Sequence, residues 1–161
     1  MNFYSKFDPH HEPQEKFHRR AMMVSLGIVY FMRLNSKYRE QYRQYLDDFP
    51  HLYEDITFSQ AIEDELKWFI EHVELPPNIA KTEALKENVF VTIACAVTHT
   101  PLIIVGDPGS SKTLSFNIAI ANLKGKESRN AEFQDTDIFQ SLDPHDICIL
   151  TFRGFLPFIS G

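Results

Sequence analysis

An apolar run, Leu102-Ile103-Ile104-Val105, passes directly into Gly106-Asp107-Pro108-Gly109-Ser110-Ser111-Lys112-Thr113 and then into a segment of helical character, Leu114 to Leu123. Strand, glycine-bearing loop, Lys-Thr, helix is the build of a phosphate-binding loop. The reason is physical. Backbone N–H groups in such a loop turn inward and make a concave anion site. The following helix adds its unpaired N–H groups and the positive end of its dipole. Lys112 is placed to reach the β- and γ-phosphates as a point charge, and the Thr113 hydroxyl to take one coordination position on Mg²⁺. The predicted nucleotide contacts are therefore Gly106, Asp107, Pro108, Gly109, Ser110, Ser111, Lys112, Thr113 and Leu114, with Thr113 at the metal and ATP and Mg²⁺ as ligands.

The full pattern, G-x-x-x-x-G-K-[ST], is met at Gly106, Lys112 and Thr113. Position 111 is Ser where the pattern has Gly. Glycine serves where the chain needs unusual φ or close backbone approach, so Ser111 strains or reshapes the loop, and Gly109 partly offsets it. The competing reading is an ordinary turn at Asp107-Pro108-Gly109 between a strand and a helix. The apolar strand, the Lys-Thr at the helix start and the apolar Leu114, Ile118 and Leu123 favour the phosphate loop.

The chain's 161 residues suffice for a real core, and 43% hydrophobic with 24% charged residues is globular composition. A net charge of -6 gives no broad attraction to nucleic acid or to acidic membranes, so nucleic acid is not expected as a partner. Both cysteines, Cys95 and Cys148, lie in apolar runs and read as buried thiols of a reducing compartment. The start lacks the apolar core of a signal peptide. The most apolar stretch, Ala21 to Met32, is far short of a transmembrane segment. A cytoplasmic location is the expectation.

Residues 1–12 read as a disordered arm. His10-His11 beside acids lacks further ligands at metal-binding spacing. Residues 13–74 read as helical. A first helix starts at Pro13 with a stripe of Phe17, Ala21, Val24, Ile28, Phe31 and Leu34. Asn35-Ser36 caps a second, with Tyr38, Tyr42 and Tyr45 packed on a neighbour, ending at Asp47-Asp48-Phe49-Pro50. The same tyrosines between Arg39 and Arg43 could stack on bases, which the acidic balance opposes. Thr57-Phe58-Ser59-Gln60 is a capping box for a third helix, with Ile62, Leu66, Phe69, Ile70 and Val73 inward. Its Glu63-Asp64-Glu65 reads as a solvated face and Trp68 as an anchor of a core or interface.

Leu75-Pro76-Pro77-Asn78 is a stiff connector and the predicted boundary of a second part, 75–161. Thr82 caps a helix carrying Leu85, Val89, Ile93 and Ala96, which ends near His99-Thr100-Pro101. The strand, the loop and its helix follow, with Gly125 as the helix stop. Residues 126–135 read as a polar loop. Phe133, Ile138, Phe139 and Leu142 suggest a short helix, Asp143 to Asp146 a turn, and Ile147 to Phe152 a strand. The fold class is α/β with a large helical N-terminal part and an incomplete sheet.

Hydrolysis by such a loop also needs an apolar strand ending in acid, to hold Mg²⁺ and polarise water. After Thr113 no apolar run ends in an acidic pair, and Asp146 precedes its strand. Binding is expected and turnover by this chain alone is not. Two strands do not make a stable sheet, and the tail from Arg153 is apolar without period. The chain therefore reads as a piece of a larger protein.

Three stretches also carry a resemblance: Leu75-Pro76-Pro77-Asn78-Ile79-Ala80-Lys81, Ala84 to Val91, and Pro101 to Leu114. They are similar to one ATPase module of the mysterin family, giant RING-type ubiquitin ligases with a dynein-like array of AAA+ modules. The helical stretch Arg20 to Arg43 is similar to the region before that module. The resemblance implies a partial AAA+ P-loop core of αβα type, and it makes Ser111 a family trait. It also implies ATP and Mg²⁺ as ligands, the remaining AAA+ modules of a parent chain as partners, and a role in ubiquitin transfer in the cytosol. Only Gly106 to Thr113 carry over. Walker B, the arginine finger and the RING have no counterpart here. The adenine pocket is left unassigned, and Asn78-Ile79-Ala80 is suggested for it only by the position of linkers in AAA+ modules. The reading of a different class is a non-enzymatic helical interaction module with a degenerate loop. A small phosphotransferase is disfavoured by about a hundred residues of helix before the first strand.

Overall fold

The computed structural model describes residues 13–48, 56–128, 130, 133–134 and the backbone of 147–151. The arm at 1–12 with His10-His11, Phe49-Pro50, the helix suggested by Ile138, Phe139 and Leu142, the turn at Asp143 to Asp146 and the tail from Arg153 lie outside them. The chain divides into two compact units, Met1–His72 and Val73–Gly161.

The first unit holds α1 (Gln14–Val29), a 3-10 turn (Phe31–Arg33), α2 (Ser36–Asp47) and α3 (Phe58–His72). Pro13 precedes the first helical residue, where its missing N–H costs nothing. The buried stripe of α1 is Arg20, Met23, Val24 and Gly27, continued by Phe31. Val24 and Phe31 are buried as expected, and the rest of the expected stripe is corrected: Phe17, Ala21, Ile28 and Leu34 are only half-buried. The stripe was misplaced because Gly27 carries no hydrophobic signal. Yet Ile62 of α3 packs directly onto Gly27, since a Cβ there would stand 2.3 Å from Ile62 Cδ1. Arg20 enters the stripe by a long side chain whose guanidinium lies 3.6 Å from the Asp64 carboxylate.

Both predicted caps in this unit form. Asn35 accepts from the Tyr38 N–H at 3.3 Å. Thr57 Oγ1 accepts from the Gln60 N–H at 3.2 Å while Gln60 Oε1 accepts from the Thr57 N–H at 3.0 Å, a reciprocal capping box. Asp47, at the end of α2, accepts from the Ser59 N–H and hydroxyl, which fixes where α3 begins. Glu65 is fully buried, against the expectation of a solvated Glu63-Asp64-Glu65 face. The helical period explains it, because Ile62, Glu65, Leu66 and Phe69 share one side. The tyrosine row is also corrected. Tyr42 packs edge-on to Phe58, whereas Tyr38 and Tyr45 are exposed. Arg39 and Arg43 lie over the Phe31 ring, and Arg39 donates to the carbonyls of Leu34 and Met32. Half-buried Trp68 stacks on His72 at 4.1 Å and meets Phe69 edge-on.

The second unit holds α4 (Glu83–Thr98), β1 (Leu102–Gly106), α5 (Lys112–Asn122), a 3-10 turn (Gly125–Glu127) and β2 (Ile147–Thr151). Thr82 caps α4 by accepting from the Leu85 N–H at 3.2 Å. The helix ends with His99 in the left-handed region. His99 N–H donates to Ala96 and Thr100 N–H to Cys95, a Schellman motif without glycine. Pro101 then forbids continuation. Leu85, Val89, Phe90, Ile93 and Ala96 are buried, as are Ile118 and Ala119 of α5. β1 and β2 pair in parallel, Leu102 opposite Ile147 through Gly106 opposite Thr151. Among the described residues this is a mostly helical fold with one two-stranded sheet. Along β1, Ile103 and Val105 are 64% and 55% exposed, while Leu102 and Ile104 between them are half-buried.

Two details at the end of α5 differ from expectation. The helix stops at Asn122, and Gly125 (φ 56°) instead opens the following 3-10 turn. Asn122 decides this. Its side chain accepts from the Glu74 N–H at 2.7 Å and donates to the Glu74 and Ile118 carbonyls, while its own carbonyl accepts from Ser128 Oγ. Within the expected polar loop, Ser128 is buried and Phe133 is fully so.

The α1–α3 contact makes Gly27→Leu an overpacking change worth about 1–3 kcal/mol of destabilisation. Urea unfolding followed by Trp68 fluorescence should show a lower midpoint, with partial recovery in Gly27→Leu/Ile62→Ala.

Candidate functional site: the loop between β1 and α5

The residues predicted to touch nucleotide all fall on the β1–α5 junction, within one continuous loop and the first turn of α5. The order of events along the chain makes it so. β1 ends at Gly106, Pro108-Gly109 turns the chain, and α5 begins at Lys112. Lys112 is the centre of the arrangement. Its side chain folds back, 4% exposed, and Nζ donates to the Gly106 carbonyl at 2.8 Å, the Asp107 carbonyl at 2.6 Å and Ser110 Oγ at 2.9 Å. Three donors meet three oxygens, which satisfies an ammonium that could not otherwise be buried. Ser110 Oγ in turn donates to the Asp107 carbonyl at 2.8 Å, and the Ser110 N–H to the same carbonyl at 3.3 Å.

The glycines have separate jobs. Gly109 has φ +83°, and a Cβ there would meet nothing within 4 Å, so its role is conformational. Gly106 leaves room: a Cβ there would stand 3.2 Å from Ser110 Oγ and 3.9 Å from Lys112 Nζ. Ser111, where the loop pattern carries glycine, adopts φ 59°, ψ 14°. The backbone thus takes the left-handed shape despite the side chain, at a cost of about 1–2 kcal/mol. Thr113 is exposed on the first turn of α5, and Leu114 is half-buried. Asp107, Pro108 and Gly109 are exposed at the loop's tip. Ser115 is buried one turn into α5 and donates to the Lys112 carbonyl at 2.7 Å.

One residue of this site was not legible in the sequence. Asn88, in the middle of α4, donates from Nδ2 to the Ser110 carbonyl at 2.9 Å. Nothing in a helical stretch Glu87-Asn88-Val89 marks a contact 22 residues away. Among the described residues no group of three or more His, Cys, Asp or Glu could hold a metal ion. No helix among them is long and apolar enough to cross a membrane.

The family model described as the RNF213 AAA domain matches residues 78–146, which include the whole loop. The chain is 34% identical over 128 residues to the E3 ubiquitin-protein ligase RNF213 of Homo sapiens, 76% of this chain and 2% of that protein. These likenesses support reading the chain as a mysterin-like AAA+ segment. The chain is also 33% identical over 119 residues to the RNF213 of Mus musculus and 28% identical over 128 residues to the rnf213-beta of Danio rerio. These matches take in 71% and 76% of the chain, and in each case 2% of the relative. The chain thus spans about 2% of the length of the curated relatives it matches. The resemblance read from the residues and these likenesses agree on an RNF213-type AAA segment.

With no side chain in reach, Gly109→Ala tests the loop's backbone alone. It should lower stability by about 1 kcal/mol through the left-handed φ, read as a shift of a few degrees in the thermal midpoint.

Proposed function

We propose that the loop from Gly106 to Thr113, with Leu114 behind it, binds the phosphates of ATP together with Mg²⁺. The observation that carries this reading is the Lys112 ammonium, drawn to the centre of a loop that joins a parallel strand to the start of a helix. The residues fit the ligand. Residue 106 has no Cβ, which leaves Ser110 Oγ room to sit beside Nζ, since a Cβ there would stand 3.2 Å from that oxygen. The first N–H groups of α5 and its dipole add to the anion site. The oxygens that hold Nζ all come from the loop, so an incoming phosphate oxygen exchanges with them and need break no distant contact. Thr113 would offer its hydroxyl to Mg²⁺, which supplies charge neutralisation between the β- and γ-phosphates. Asn78, Ile79 and Ala80 are the candidates for the adenine side.

For this chain alone the assignment is binding and not turnover. No apolar stretch after Thr113 ends in the acidic pair that would hold metal and polarise water. In this reading 13–74 is the helical region preceding an AAA+ module and 75–161 is the N-terminal part of that module, a partial αβα core. The relatives are named as ubiquitin-protein ligases. The natural partners of this segment are then the other AAA+ modules of a mysterin-like chain in the cytoplasm, and no step of ubiquitin transfer falls to these residues.

One observation favours a second reading, a helical interaction module whose loop has given up nucleotide. The Lys112 ammonium is already satisfied by loop oxygens, so the junction is stable without a phosphate. Titration with a fluorescent ATP analogue and Mg²⁺ separates the two. Under the first reading the chain binds, Lys112→Ala weakens binding by at least tenfold, and saturating ligand raises the thermal midpoint of the unmutated chain. Absence of any affinity in the unmutated chain would establish the second.

A further inference from the structure

We propose that Asn88 is a positioning residue of the phosphate loop, holding Ser111 in the left-handed conformation that glycine would adopt unaided. This rests on the nucleotide-binding reading above and adds to it a residue on a different element. Two independent observations meet here. Ser111 stands at φ 59°, a region in which an L side chain crowds its own backbone. The carbonyl immediately before it, that of Ser110, accepts from Asn88 Nδ2 at 2.9 Å.

The two are linked by the planarity of the Ser110–Ser111 peptide. In a trans peptide the C=O and the following N–H point in opposite directions. A Ser110 carbonyl anchored to α4 therefore turns the Ser111 N–H away from α4 and fixes the plane from which Ser111 φ is measured. A strained conformation persists only where its surroundings over-determine it. Here the determinants are the Asn88 bond on one side and, on the other, the helical bond from the Ser115 N–H to the Ser111 carbonyl at 2.8 Å. Asn88 is itself held by a regular helix, with its carbonyl accepting from Thr92 Oγ1 at 2.6 Å. A rigid element thus holds the loop, which suits a site that must present its N–H groups in one geometry.

Asn88 acts on the nucleotide through the loop alone, so its effect depends on what stands at 111. With glycine at 111 the left-handed conformation needs no support, and Asn88 becomes dispensable. The test is a double-mutant cycle on the full chain, using Asn88→Ala and Ser111→Gly and measuring the affinity for a fluorescent ATP analogue with Mg²⁺. Thermal unfolding without ligand serves as the folding control. Asn88→Ala should weaken binding about 3- to 10-fold in the unmutated background and less than about twofold when Ser111→Gly is present. Asn88→Asp, which cannot donate to the carbonyl, should behave like Asn88→Ala or worse. Equal losses in both backgrounds, or no loss in either, would overturn the role given to Asn88 while leaving nucleotide binding intact. Failure of the unmutated chain to bind the analogue overturns the binding reading itself, and this inference with it.

Discussion

A buried ammonium organises the junction on which the second unit's site depends. Between the last residue of β1 and the first turn of α5 the chain reverses within a few residues, and its carbonyls cannot pair in a ladder there. Lys112 supplies the missing donors to two of them and to the Ser110 hydroxyl. The side chain is 4% exposed, and each of its three donors is used. The loop is shaped around that charge, and the charge is positioned by the helix that the loop starts. Neither would have its geometry without the other.

Around this centre, side-chain amides tie distant segments together. Asn88 reaches the Ser110 carbonyl from α4, and Asn122 pairs with both backbone groups of Glu74 from the far end of α5. One fixes the start of α5 and the other fixes its finish. An amide can donate and accept at once, which is why asparagine can match a backbone N–H and C=O together. These three bonds place the connector before α4, α4 itself and the loop in one frame. In the first unit the same task falls to small and charged groups. Gly27 lets α1 and α3 approach, and Asp47 holds the start of α3.

Local signals proved legible where the physics is local. The caps at Asn35, Thr57 and Thr82 each concern a side chain and an N–H three residues on, so the sequence displays them. The strand at 102–106 and the parallel strand at 147–151 stand out for their apolar runs. The buried face of α1 was less legible, since Arg20 and Gly27 belong to it beside Met23 and Val24. Glu65 was misjudged for a related reason, and the burial of Phe133 was not foreseen. A carboxylate on the inner side of a helix, or a phenylalanine in a polar segment, is buried by what packs over it, which composition does not record.

The amino-acid order by itself determined that a loop of Gly106 to Thr113 would join strand to helix, because the turn chemistry of Pro108-Gly109 and the apolar segments on either side are properties of neighbouring residues. It also carried the resemblance to the mysterin family, through the stretches from Leu75 to Leu114. Only the tertiary structure decided that Lys112 would lie inside the loop, that Ser111 would take a glycine's conformation, and that Asn88 would stand behind it. Those outcomes depend on contacts between residues far apart in the chain, and such contacts exist only once α4 has packed beside the strand and the loop.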